Sequence, residues 1–299
     1  MNHFLKTFLF LFIILTNIYA NTTYLKKDMP SLVDSKWLVQ NINHQDIIIV
    51  DLRTQEEFKE GHIKGAINIP GLKNLFNEKL FIPKLDFLQN LISNAGISND
   101  SLVVVYDNGE FFWAARFYWV LEILGHKNVG LLKVSYPYWK NLNYPTTTKI
   151  IINKKSNFVP RVDSTKIETK LSTLMSIGKK TIIDGRQKSH YDGEESLALR
   201  FGHIPTAKNY ACSQNYQISA NGNKMKDLTV LAKIYKALPK DKHVILYCEG
   251  GAEAALNYIV LKELGYNASV YDGSWTEWGN DKSLPVTNPS QLKENNDAQ

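Results

Sequence analysis

The sequence predicts an α/β protein made of two tandem copies of one domain, each a parallel sheet with helices on both faces. Three observations predict it. The chain repeats itself: Val33-Asp34-Ser35 returns as Val162-Asp163-Ser164, and Ile49-Val50-Asp51-Leu52-Arg53 as Ile182-Ile183-Asp184-Gly185-Arg186. Gly61-His62-Ile63, with Ala66 and Asn68, returns as Gly202-His203-Ile204 with Ala207 and Asn209. This set is displaced by a constant 141 positions (202 − 61, 209 − 68), and the same spacing sets Tyr106-Asp107 against Tyr247-Cys248 (247 − 106). Apolar runs alternate with helical segments, as in strands covered on both faces. Lastly, Val244 to Tyr247 leads into Cys248, then two glycines and a helix former from Ala254 to Leu264, which reads as strand, tight loop, helix.

Taken in order, residues 1–20 read as a secretory signal peptide. Lys6 gives a positive start, Phe8 to Leu15 an apolar core, and Ala20 a small residue before the cleavage point. The apolar run is too short to span a bilayer comfortably, an uncleaved anchor being the alternative reading, and no later segment could cross one. Export is therefore expected, to a periplasm or to the medium, with no membrane attachment after cleavage. Residues 21–29 read as polar and extended.

Domain one is expected over 30–145. Ser35 to Asn41 is a helix that Asp34 or Ser35 can cap. Ile47 to Leu52 is a buried strand, and Thr54 to Glu60 a helix. Pro83 to Ala95 is a helix stopped at Gly96, and Leu102 to Tyr106 a strand. Trp113 to Leu124 is an apolar helix, Val129 to Lys133 a strand, and Tyr138 to Leu142 closes the domain. Residues 146–160 carry Thr and Lys with little periodicity and read as a linker. Domain two, 161–286, repeats the order, with strands near Thr181–Asp184, Val244–Tyr247 and Ala268–Tyr271. Residues 287–299 read as a disordered tail.

Composition narrows the function. The chain has 299 residues, 44% hydrophobic and 21% charged, as in globular proteins. The net charge of +6 is spread without a basic run, which argues against a nucleic-acid partner. Two cysteines, Cys212 and Cys248, cannot build a disulfide scaffold. Neither has a nearby His or Cys to make a metal site.

These blocks resemble the rhodanese family, specifically its tandem-domain thiosulfate and 3-mercaptopyruvate sulfurtransferases. The resemblance rests on Asp51-Leu52-Arg53, Gly61-His62-Ile63-Lys64-Gly65-Ala66, Asp184-Gly185-Arg186, Gly202-His203-Ile204-Pro205 and the Cys248 loop. Tyr271-Asp272-Gly273-Ser274-Trp275-Thr276-Glu277-Trp278-Gly279 matches the family's closing signature. The likeness covers roughly residues 30 to 285. It implies two rhodanese-like domains of which only the second is catalytic; Asp107 stands where Cys248 stands, and a carboxylate cannot carry sulfur.

The chemistry implied is covalent sulfur transfer through Cys248, from a small anionic donor to a thiol or cyanide acceptor, without a cofactor. A cysteine at a strand end facing backbone N–H groups and a helix N-terminus is expected to ionise easily, although Glu249 and Glu253 oppose this. The loop Glu249, Gly250, Gly251, Ala252 and Glu253 is expected to line the substrate, its amides holding sulfur anion. Arg186 is the expected donor-binding cation and Arg200 a second one. Asp184 and His203 read as braces, Trp275 and Trp278 as core and interdomain packing, and Ser274 as a support of the loop. Cys212 is a packing cysteine or a partner for Cys248. The family's usual Arg and Lys after the cysteine are Glu249 and Gly250 here, and no His near Pro70 to Pro83 matches the mercaptopyruvate enzymes. A small dianion is thereby disfavoured; a persulfide donor, or a protein partner with a basic patch, suits the loop better.

Two other classes compete. A cysteine phosphatase of this fold needs Arg six positions after the cysteine, where Ala254 stands. A non-catalytic module could bind a partner protein through the Cys248 loop. The expected oligomeric state is a monomer.

Overall fold

The computed structural model describes residues 29–291; the signal-peptide expectation falls outside them. Domain one holds strands β1 (Leu32–Val33), β2 (Ile47–Asp51), β3 (Ala66–Asn68), β4 (Leu102–Tyr106) and β5 (Val129–Leu132). Domain two holds β6 (Ile167–Glu168), β7 (Thr181–Asp184), β8 (Lys208–Asn209), β9 (Val244–Tyr247) and β10 (Ala268–Tyr271). The sheet orders are β1-β5-β4-β2-β3 and β6-β10-β9-β7-β8, the same path twice, with every neighbour pair parallel. Even the register repeats: Asp51 lies beside Tyr106, and Asp184 beside Tyr247.

The apolar runs explain these strands. Leu102 to Tyr106 and Val244 to Tyr247 are buried at every position, as strands covered by helices must be. The edge strands β1, β3, β6 and β8 are only two or three residues long, which limits the exposed pairing edge. The helices Phe112–Ile123 and Ala252–Glu263 are buried almost all round. They pack against each other between the sheets, so domains one and two share one continuous core. Tyr258 Oη donates to Glu122 Oε2 at 2.7 Å, and Lys262 pairs with Glu122, across this contact.

Trp275 and Trp278 are fully buried, but against Ile182, Ile245, Tyr247 and Tyr271 of domain two. They are core residues and not interdomain ones.

The expected linker is ordered, and the expected disordered tail needs correction. Residues 146–160 form a strap along domain one. Asn153 Nδ2 donates to Ala95 O at 3.0 Å, the amide of Phe158 donates to Ser93 Oγ at 3.3 Å, and the Phe158 ring is fully buried. One buried aromatic and a few amide partners suffice where periodicity is absent. Nor are residues 287–291 disordered. The Thr287 and His203 backbones exchange hydrogen bonds at 3.0 and 2.9 Å, and Ser290 Oγ donates to Asp192 O at 2.8 Å. Residues 292–299 lie outside the described ones.

Candidate active site

The order in which successive strands are added reverses between β2 and β4 in domain one, and between β7 and β9 in domain two. A crevice at the carboxyl ends of strands forms at such a switch point. The Arg53 turn and Asp107 loop lie there in one domain, the Arg186 turn and Cys248 loop in the other.

Much of the repeated sequence proves to be shared framework. Arg186 Nε donates to Asp184 Oδ1 at 3.0 Å, and its Nη2 to Asp184 Oδ2 at 2.6 Å and Gly202 O at 2.7 Å. Arg53 makes the same set with Asp51 and Gly61 O, at 3.0, 2.5 and 2.7 Å. Asn68 and Asn209 each tie their turn with two donated bonds to backbone oxygens. His62 stacks on Phe58, and His203 on Tyr191, each ring nitrogen Nδ1 meeting the carbonyl of the ring it covers. Asp184 and His203 are thus braces. Arg186 is mostly one as well: only its Nη1 lacks a hydrogen-bond partner, and it lies 3.8 Å from Glu249 Oε2.

Arg200 is not in the site. Its Nε, Nη1 and Nη2 donate to the carbonyls of Gly279, Leu284, Trp278 and Asp281 at 2.5 to 3.2 Å. The spacing that brought it near Gly202 in sequence points it at the carbonyls that end the domain. It binds chain through four of its five N–H groups.

Cys248 ends β9, and the helix Ala252–Glu263 starts just beyond it. Gly251 caps that helix with φ +86°, a left-handed turn suited to glycine. Its N–H donates to Cys248 Sγ at 3.0 Å, and the amides of Gly250 and Ala254 also favour the sulfur anion. Ser274 Oγ accepts from the Cys248 amide at 3.2 Å and fixes the loop's start. Thr276 holds its second residue by donating Oγ1 and N–H to Glu249 O, at 2.8 and 3.0 Å. The expected amide ring is therefore present.

The expected easy ionisation is not. Cys248 is 1% exposed, and burial, then Glu253, pushes its thiol up to about 12 against the pull of the amides. Burial likewise pushes Glu249 and Glu253 up to about 7 each. Neither carboxylate oxygen of Glu249 has a hydrogen-bond partner. Cys212 is free, 2% exposed and pushed well up by burial, then by Glu253 and Cys248; it packs in the core with Cys248.

Domain one supplies the wall. A β-carbon at Gly250 would touch Leu80 at 3.7 Å and Phe76 at 4.0 Å. A β-carbon at Gly251 would lie 2.6 Å from Arg116 Nη1. Arg116 is fully buried, sits over Phe76 and Trp119, and pairs through Nη2 with Asp272 Oδ1 at 2.6 Å. Asp272 Oδ2 accepts from the Ile82 amide at 2.8 Å, which pins the covering segment. Sequence reasoning did not single out Arg116 or Asp272 for the site. The signal was a lone Arg in a helix whose only other charged residue is Glu122.

The corresponding loop of domain one is filled by its own carboxylate. Asp107 Oδ1 accepts from the amides of Gly109 and Phe111 at 2.7 and 3.0 Å, and Oδ2 from Ala114 at 3.2 Å. A cavity of about 890 Å³ lies over it, lined by Asp107, Glu57, Lys73, Glu110 and Trp113 among others, and not by Cys248.

The geometry can be set beside known proteins. The family model for the rhodanese-like domain matches twice, over residues 34–142 and 168–281. The thiosulfate sulfurtransferase of Corynebacterium glutamicum is 32% identical over 88% of this chain and 92% of its own. The sulfur carrier protein TtuD of Thermus thermophilus is 30% identical over 85% and 95%. The crystal structure of the 3-mercaptopyruvate sulfotransferase SseA from Escherichia coli superposes with a TM-score of 0.73 at 25% identity, over 82% of this chain and 98% of that one. The chain carries two rhodanese-like domains, belongs to the rhodanese family and is one of its sulfurtransferases.

Proposed function

We propose that this protein is an exported enzyme that moves a sulfane sulfur through a persulfide on Cys248. The carrying observation is the sulfur of Cys248 at the focus of the amides of Gly250, Gly251 and Ala254. The Cys248 thiolate attacks the outer sulfur of a donor of the thiosulfate or 3-mercaptopyruvate class. The donor's bond to that sulfur breaks, and its electron pair leaves with the remainder. A thiol or cyanide then attacks the outer sulfur, and the pair of the broken S–S bond returns to Cys248. Between the steps the amides carry the terminal sulfur anion. Burial raises the free thiol above its ordinary range, so its ionisation is tied to donor entry.

The test is mass spectrometry of the protein after exposure to thiosulfate, with thiocyanate measured on adding cyanide. A gain of one sulfur atom on Cys248, absent from Cys248→Ala, is expected. Equal thiocyanate formation by both proteins would remove the reading. Export is supported by Lys6, the Phe8–Leu15 run and Ala20, and predicts a mature chain that begins at Asn21.

A further inference from the structure

We propose that the Cys248 site selects a sulfur compound carrying both a protonated amine and an acid group, a zwitterionic thiol or its persulfide, with the amine on Glu249 and the acid on Arg186. The inference rests on sulfur transfer at Cys248 and names the substrate class for it.

Two unsatisfied groups of opposite charge carry the argument. Arg186 is 2% exposed, and Asp184 and Gly202 O consume its Nε and Nη2, yet Nη1 is buried without a partner. Glu249 follows Cys248 directly. Its backbone oxygen is bound by Thr276, while both carboxylate oxygens lack any partner and its side chain is only 19% exposed. Nη1 and Oε2 stand 3.8 Å apart, too far for a hydrogen bond between them. Each keeps unused capacity, and buried polar groups are rarely left so without a ligand or water to meet them.

The charge balance says what that ligand is. Asp184 is spent on Arg186 and Asp272 on Arg116, two pairs that balance, which leaves the carboxylates of Glu249 and Glu253 in excess beside the free Nη1 edge of Arg186. A dianion meets two carboxylates and one partial cation. A molecule with one positive and one negative end meets its complement at both. With a zwitterionic thiol as acceptor, its thiolate attacks the outer sulfur of the Cys248 persulfide. The S–S bond breaks, Cys248 keeps the electron pair, and the acceptor departs as a persulfide.

The test uses the native protein loaded with sulfur from polysulfide and then chased with cysteine, with cysteamine (amine only) or with 3-mercaptopropionate (acid only), at equal thiolate concentrations. Loss of the outer sulfur from Cys248 is followed by mass. Cysteine should discharge it fastest and 3-mercaptopropionate slowest, by about tenfold, the ratio that ~1.4 kcal/mol represents. Glu249→Gln should remove most of the difference, and Glu249→Arg should reverse the order of cysteamine and 3-mercaptopropionate. Discharge at equal rates by the three thiols, or the native preference persisting in Glu249→Gln, overturns this inference alone. A Cys248 that takes up no sulfur from polysulfide or thiosulfate overturns the transfer reading, and this one with it.

Discussion

The loops after β4 and β9 leave the same strand position in the same register, yet one closes on a carboxylate and the other on a thiol. Asp107 satisfies three amides from inside the chain. Cys248 sets one sulfur in a similar ring, where the Gly251 amide donates to it at 3.0 Å. The helix caps differ too: Phe111 takes the left-handed turn four residues after Asp107 (111 − 107), and Gly251 takes it three after Cys248 (251 − 248). Burial dominates both, since it raises Asp107 to about 6 in spite of its three donors and Cys248 to about 12. The difference teaches that an amide ring filled by the protein is scaffold, while one left for a ligand is a site.

The comparison can be broken most sharply by exchange. Cys248→Ala should abolish sulfur transfer, and adding Asp107→Cys should not restore it, because the longer loop spaces the amides differently; thiocyanate formation by the double variant would show the two loops to be equivalent. Asp107→Ala leaves three buried donors bare and should cost about 3 kcal/mol of stability by urea unfolding, while the folded fraction still loads sulfur on Cys248. A cost under about 1 kcal/mol would mean water replaces the carboxylate. Gly251→Ala forces a β-carbon to φ +86° against Arg116, and a loss of about 2 kcal/mol is expected.

Smaller effects sharpen the electrostatics. Glu253→Gln removes the carboxylate that opposes the Cys248 thiolate, so the pH midpoint of thiol alkylation should fall by about one unit; an unmoved midpoint would assign the shift to burial alone. Glu249 and Glu253 have folded values of about 7 against 4.5 for the free group. The folded state therefore binds more protons between those values, and stability should fall as pH rises from 4.5 to 7. Glu249→Gln with Glu253→Gln should flatten that slope in denaturation curves taken across the range.

The long strands were legible because Ile47 to Asp51 and Val244 to Tyr247 are apolar runs whose burial needs no tertiary detail. The two-residue strands Leu32–Val33 and Lys208–Asn209 were not, because pairing alone defines them. Cys248 and Ser274 stood out through local pattern. Arg200 did not resolve correctly, since sequence gives a long side chain's position and not its direction. The cation that domain one brings to the loop, Arg116, is set by packing between two helices distant in the chain. Ionisation of Cys248 differs from the expectation for a related reason: the amides are local and visible, but the burial that raises the thiol is set by tertiary packing.

Arg200 also changes how the end of the chain should be regarded. Its guanidinium gathers carbonyls from residues 278 to 284, so those residues act as a buckle for the loop that precedes Gly202. A polypeptide shortened to Gly279 would keep every residue named in the sulfur chemistry and still strand half of that cation's acceptors. Fusions or truncations at this terminus need to leave the buckle fastened.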